Sequence, residues 1–261
     1  MFRRKRLIVF LGIIVFTAAS LAVFISRQYV LPIIMYHSVS TTVPPGNVIT
    51  VSAKTFERQM LFLKKHNYKV IPLEAISDFI AKKKKIPPRT IVLTLDDGYK
   101  DNYIYAFPVL KKYNFPATIF IIVSEVGRPG RLSWEEIKEM QGSGLIIFGS
   151  HTINHPLLNF IKADQELIKE ISDSKKILEE GLGRRVNSFC YPMGRFSDKV
   201  RQAVIAAGYK IAVATNPGKK YPSNDIFVLK RLRISENAGN LFVFWIETSG
   251  YYNFIREHRH K

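Results

Sequence analysis

Thr90-Ile91-Val92-Leu93-Thr94-Leu95-Asp96-Asp97-Gly98 is the stretch on which the fold turns. Six β-branched and aliphatic residues run without a charge and stop abruptly at two carboxylates and a glycine. A short apolar run of this kind, bounded by turn residues, is a strand buried on both faces, the type found in parallel sheets. Two adjacent acids at a strand end repel each other unless a cation binds one or a proton sits on the other. The break at Gly98 helps both turn inward. By itself Asp-Asp-Gly also makes an ordinary turn.

The same alternation extends in both directions. Strands are expected over 31–36, 69–72, 117–123, 145–149, 188–191, 210–215 and 226–232, with a loop over 40–50 around Pro44-Pro45-Gly46-Asn47. Helices are expected over 52–66, 73–81, 102–113, 134–141, 164–180, 197–207 and 239–247. In the 164–180 helix Leu167, Ile168, Ile171, Ile177 and Leu178 share one face. Strands alternating with helices imply a parallel sheet, closed or nearly closed. His37, Asp96-Asp97 and His151 each follow an apolar strand, at the edge where parallel α/β folds bind ligands.

The N-terminus sets the compartment. Arg3-Arg4-Lys5-Arg6 precedes an uncharged run from Leu7 to Ile25, and only Arg27 closely follows it. Nineteen such residues in a helix span roughly a hydrocarbon core. The positive-inside bias keeps residues 1–6 in the cytoplasm and sends the rest outside. A cleaved signal peptide is the rival reading, with small residues at Thr17-Ala18-Ala19-Ser20, but the run stays apolar past Ser20. The expected organisation is a basic tail (1–6), a single-pass anchor (7–25), a connector (26–31), one extracytoplasmic domain (32–250) and a second basic tail (251–261). With 39 Lys+Arg against 21 Asp+Glu, the net charge of +18 suits polyanionic neighbours. Export makes nucleic acid an improbable partner and leaves lipid headgroups or anionic wall polymer for clusters such as Lys82–Lys85 and Arg256–Lys261. Nothing in the sequence calls for an obligate protein partner. The lone Cys190 excludes an intrachain disulfide. No phosphate-cradling glycine loop, CxxC pair or nucleotide fingerprint is present.

Ser150-His151-Thr152-Ile153-Asn154-His155-Pro156 adds the second cluster. Two histidines four residues apart reach one ion from a helical turn or a tight loop. A His, His, Asp set suits zinc, or a similar first-row divalent metal such as cobalt or nickel, with an open position for water.

From about Ile33 to Leu232 the chain resembles the polysaccharide deacetylases of the NodB-homology type, carbohydrate esterase family 4. Thr94-Leu95-Asp96-Asp97-Gly98 resembles the first motif of that family, the Ser150–Pro156 segment its second, and Tyr191-Pro192-Met193-Gly194 most of its third. The resemblance implies a distorted (β/α)7 barrel. It implies Asp97, His151 and His155 as metal ligands, Asp96 as general base and the backbone N–H of Met193 as an oxyanion donor. It also implies hydrolysis of N-acetyl groups on an N-acetylhexosamine polysaccharide of the cell envelope, with an O-acetyl esterase of the xylan type and a non-catalytic, anchored polysaccharide-binding module as the alternatives.

Two departures from the family pattern matter. The final Leu-x-x-His motif is not visible after Gly208. His151 and His155 are assigned to metal, His258 and His260 sit in the basic tail, and His66 lies in a polar helix end. That leaves His37 in Met35-Tyr36-His37-Ser38 as the expected acid, a pattern similar to the poly-N-acetylglucosamine deacetylase branch. The third motif also lacks its opening Arg, and Cys190 stands there instead, read as a small buried hydrophobe. Arg231 is the expected substitute partner for the base, with Arg195 as the alternative. Trp134, Tyr191 and Pro192 are candidates for a sugar-binding wall, and Ser133 reads as a helix N-cap.

Overall fold

A computed structural model describes residues 2–27, 29–82, 84, 86–215 and 225–252, without the side chains of residues 2–9, 12, 22, 26 and 27. Most of the 251–261 tail, including His258 and His260, and Lys83 and Lys85 of the lysine run lie outside it. Helix α1 (Phe2–Arg27) precedes strands β1 (Ile33–Tyr36), β2 (Ser38–Ser40) and β3 (Thr50–Ser52). Then come α2 (Ala53–Lys65), β4 (Lys69–Val70), α3 (Ala75–Ala81) and β5 (Thr90–Leu95). The alternation continues with α4 (Phe107–Tyr113), β6 (Ala117–Ile121), α5 (Trp134–Gly142), β7 (Ile146–Ser150), α6 (Asp164–Ile168) and α7 (Ser174–Leu182). It ends with β8 (Ser188–Cys190), α8 (Asp198–Ala206), β9 (Ile211–Ala214), β10 (Leu229–Lys230), β11 (Leu232–Arg233) and α9 (Leu241–Thr248).

Every strand pair is parallel. β1 pairs with β5, and β6, β7, β8 and β9 follow in order. The expected strand over 226–232 is instead two dipeptides. β10 adds to β9, with Lys230 opposite Ala214, and β11 adds to β1, with Leu232 opposite Ile34. One extended segment therefore links both edges of the sheet, and Arg231 sits at the switch. The result is a nearly closed parallel barrel of seven staves, with β4 paired to the start of β5.

Side-chain alternation sorts the strand residues into two cores. On β5, Ile91, Leu93 and Leu95 pack outward beneath the helices. Val92 packs inward with Ile33, Phe120, Cys190, Ile211, Val213 and Leu229, and Ile71, Leu73 and Ile76 join them from β4 and α3. Thr94 and Asp96 share the parity of Val92, so the carboxylate of Asp96 is buried inside the barrel mouth.

Two expected helices are interrupted. Residues Asn102–Ala106 and Lys169–Asp173 form π turns, before α4 and between α6 and α7. An extra residue in the turn shifts the register. Leu167, Ile171 and Leu178 are therefore buried, whereas Ile168 and Ile177, expected on the same face, are exposed. Ser133 caps α5 in a reciprocal box with Glu136.

The described side chains of α1 between Phe10 and Ile25 face solvent. Among the described residues no helix is long and apolar enough to cross a membrane. The side chains of Leu7, Ile8 and Val9, the start of the expected span, are not among them, so the structure does not show the 7–25 anchor.

Candidate active site

The C-terminal strand edge gathers polar residues into an open cleft of about 180 Å³, lined by His37, Asp96, Asp97, His151, His155 and Arg231, with Ile49, Tyr191, Met193, Gly194 and Thr215 around them. The polar residues sit in the loops that follow strands or, for Arg231, at the switch between β10 and β11, whereas Ile49 precedes β3.

Backbone strain concentrates here. Asp97 (φ +72°), Thr152 (+69°), His155 (+58°) and Met193 (+55°) all adopt the left-handed region, unusual for residues with a Cβ. Gly98 follows at φ +64°, and a Cβ there would lie 2.8 Å from the side chain of Ile121. Glycine suits this left-handed turn against β6, and a larger residue would have to displace the Ile121 side chain.

Three donor atoms converge. Asp97 Oδ1 lies 3.5 Å from His151 Nε2 and 3.9 Å from His155 Nε2, and the two Nε2 atoms are 3.1 Å apart. His151 Nδ1 donates to the Cys190 carbonyl at 2.8 Å, so the lone pair of its neutral ring sits on Nε2, toward Asp97. Burial holds His151 down at about 4, against the opposing pull of Asp96 and Asp97, so it is neutral near pH 7. One carboxylate oxygen and two imidazole nitrogens at this spacing fit a divalent first-row cation with room for further ligands.

Asp96, next in sequence to Asp97, has a different partner. Its two oxygens each accept a 2.7 Å hydrogen bond from Arg231, a bidentate pair with both side chains buried. Burial alone raises the Asp96 pKa, but the guanidinium charge and its hydrogen bonds outweigh it and hold the carboxyl well below the usual range. Arg231 is thus the cation opposite Asp96, while Arg195 is exposed. Cys190 is fully buried in the inner core, as expected, yet its surroundings are not wholly apolar: its Sγ lies 2.9 Å from Arg231 Nη2 and 3.6 Å from Asp96 Oδ2. Asp96, His151 and Cys190 could also be grouped around an ion. Burial pushes the thiol well above its ordinary pKa, and the guanidinium already neutralises Asp96, so that second grouping is a poor cation site.

His37 lines the cleft. Its Nδ1 is buried with no hydrogen-bond partner among the described residues, and its carbonyl accepts from Asn102 Nδ2 at 2.8 Å. Met193 is exposed at the rim, and the preceding Pro192 is buried. Tyr191 borders the cleft, but its ring stacks on Phe196 and its hydroxyl donates to the Phe227 carbonyl, which leaves no open face for a sugar. Trp134 lies elsewhere. Its ring occupies the space where a Cβ on Gly181 would sit, between α5 and α7, and it does not border the cleft.

Sequence reasoning missed the residues that hold these loops. The buried Glu170 accepts from the backbone N–H groups of Ile153 and Asn154, each at 2.9 Å, and from Asn154 Nδ2 at 2.7 Å. It thereby pins the turn between His151 and His155. Asp101 accepts from Ser38 Oγ, beside His37. A carboxylate between Leu167 and Ile171 on an apolar helix face was the available signal for Glu170.

The sequence profile of the family described as polysaccharide deacetylase matches residues 83–212. The Bacillus subtilis (strain 168) protein YxkH, itself named only provisionally as a polysaccharide deacetylase, is 36% identical over 219 residues, 84% of this chain and 76% of that protein. The poly-beta-1,6-N-acetyl-D-glucosamine N-deacetylase of Staphylococcus aureus is 31% identical over 203 residues, 72% of this chain and 69% of its own. Among solved structures, the Streptococcus pyogenes deacetylase PplD in complex with acetate superposes with a TM-score of 0.75 at 30% identity, covering 82% of this chain and 97% of that one.

Proposed function

The chain belongs to the polysaccharide deacetylase family of hydrolytic enzymes, and on that premise we propose that it removes N-acetyl groups from an N-acetylhexosamine polysaccharide of the cell envelope. One observation carries the reading: Asp97, His151 and His155 aim three donor atoms at one point beside Asp96, an ionised carboxylate outside that donor set.

Asp97, His151 and His155 would hold a divalent cation, zinc before cobalt or nickel. Bound there, it would polarise the acetyl carbonyl and make a water acidic enough to attack near neutral pH. The residues divide the remaining work. Asp96 takes the proton of the attacking water as its oxygen bonds to the acetyl carbon. Arg231 keeps Asp96 in its proton-accepting form at every working pH, at some loss of basicity. The backbone N–H of Met193 donates to the developing oxyanion. His37 gives a proton to the departing nitrogen as the C–N bond breaks, leaving acetate and a free amine. Because His37 Nδ1 is buried, Nε2 is the nitrogen that meets substrate. Tyr191 and Pro192 back the cleft wall.

The uncharged run from Leu7 to Ile25 supports a single-pass anchor, with the barrel outside the cell. Protease treatment of intact cells that removes the domain but spares residues 1–6 would bear this out.

Acetate release is the direct test. Defined β-1,6-linked and chito-oligosaccharides are compared with acetylated xylan, after chelation and again after zinc is restored. Zinc-restored release from the N-acetylated oligomers supports the proposal. Release from xylan alone makes the protein an O-acetyl esterase. Oligosaccharide binding with no acetate from any substrate makes it a binding module.

A further inference from the structure

Helix α9, Leu241-Phe242-Val243-Phe244-Trp245-Ile246-Glu247-Thr248, carries no charge in its first six residues. Phe244 and Thr248 are buried against the barrel. On the opposite side Phe242 is 64% exposed, Trp245 48% and Val243 36%, and the Phe242 and Trp245 rings lie 5.7 Å apart. The neighbouring α2 turns Lys54, Arg58, Lys64 and Lys65 outward, as a helix facing water should. A helix apolar on every side is either covered or sits against lipid. Glu247, its one charge, is half-buried, and that burial pushes its carboxyl up to about 7.

The neighbours of α9 indicate what covers it. Val30 N–H donates to the Gly250 carbonyl at 2.9 Å, and the rings of Tyr29 and Tyr251 meet edge to face at 5.8 Å. The chain leaving α9 is therefore stapled to the chain leaving α1, three residues after Arg27. Tyr68, at the strand-start end of the barrel, meets Thr248 at 3.3 Å. Trp and Tyr side chains grouped beside an apolar helix are what a bilayer interface selects. In sequence the basic Arg256, Arg259 and Lys261 follow, suited to anionic headgroups.

We propose that α9 is a second membrane contact: Phe242, Val243 and Trp245 seat at the headgroup level of an anionic bilayer and keep the strand-start edge near lipid, with the cleft facing away toward polymer. This rests on the anchored reading of residues 7–25.

The test uses the full chain, whose two tryptophans are Trp134 and Trp245. The Trp134→Phe variant is reconstituted in phosphatidylglycerol–phosphatidylcholine vesicles carrying brominated acyl chains, and incorporation is measured separately by flotation. Expected are a blue-shifted Trp245 emission and quenching several-fold stronger than that of Trp134 in the Trp245→Phe variant. Phe242→Ser with Val243→Ser should cut the quenching without altering acetate release from soluble oligosaccharides. An incorporated chain whose Trp245 is unquenched, whether in water or in a self-associated pair, overturns the proposal. Failure to float sinks the anchor reading, and this inference with it.

Discussion

Arg231 is the residue on which the chemistry of Asp96 depends. Its guanidinium is fully enclosed and meets both carboxylate oxygens, so Arg231→Gln leaves a buried charge without compensation. A stability loss of about 3–5 kcal/mol is expected on denaturant unfolding. With the guanidinium gone, burial dominates and the Asp96 pKa rises, so the acid limb of the pH–rate profile moves to higher pH. Arg231→Lys should fall between, since a lysine keeps the charge but not the fork. An unchanged pH profile in the Gln variant would show that Asp96 is not the base. For His37→Ala, we expect kcat to drop about 100- to 10,000-fold with metal content intact; full activity would remove His37 from the mechanism.

At the level of elements, each π turn supplies a side chain that holds a loop of the site. Asn102 ties the His37 carbonyl, and Glu170 ties the turn between His151 and His155. Glu170→Gln keeps the shape but loses two charge-assisted bonds to backbone N–H groups. It should weaken zinc binding about 10- to 100-fold in a competition titration, with global stability reduced by about 1–3 kcal/mol. Loss of stability with unaltered zinc affinity would make Glu170 a packing residue only. The contact of α5 with α7 is tighter still. A Cβ on Gly181 would stand 2.3 Å from the Trp134 ring, so Gly181→Ala should cost about 1–3 kcal/mol in thermal or urea unfolding.

For the whole molecule the metal-free protein should be acid-labile in two stages. Burial lowers the His151 pKa to about 4 in the folded state, against about 6.5 when unfolded. The neutral ring's contribution is complete above pH 6.5 and is lost as pH falls toward 4, about 3 kcal/mol in all. Asp96, held low by Arg231, begins to contribute a loss only below about pH 4, where unfolded carboxylates take up protons. Urea unfolding between pH 4 and 8 measures the first stage, and His151→Gln should flatten it. A slope that persists in that variant would place the acid sensitivity elsewhere.

The barrel, its site-bearing edge and the cluster Asp96, Asp97, His151 and His155 were legible in the chain itself, because strand periodicity, turn residues and short motifs are relations among near neighbours. The sequence put Arg231 ahead of Arg195, but only the structure shows its guanidinium meeting Asp96, 135 positions away, through the split stave that joins β9 to β1. The structure likewise set Trp134 against Gly181, enclosed the Tyr191 ring and brought Glu170 to the histidine loop. These are long-range packing relations, and they exist only once the sheet has curled far enough for its two edges to share one strand.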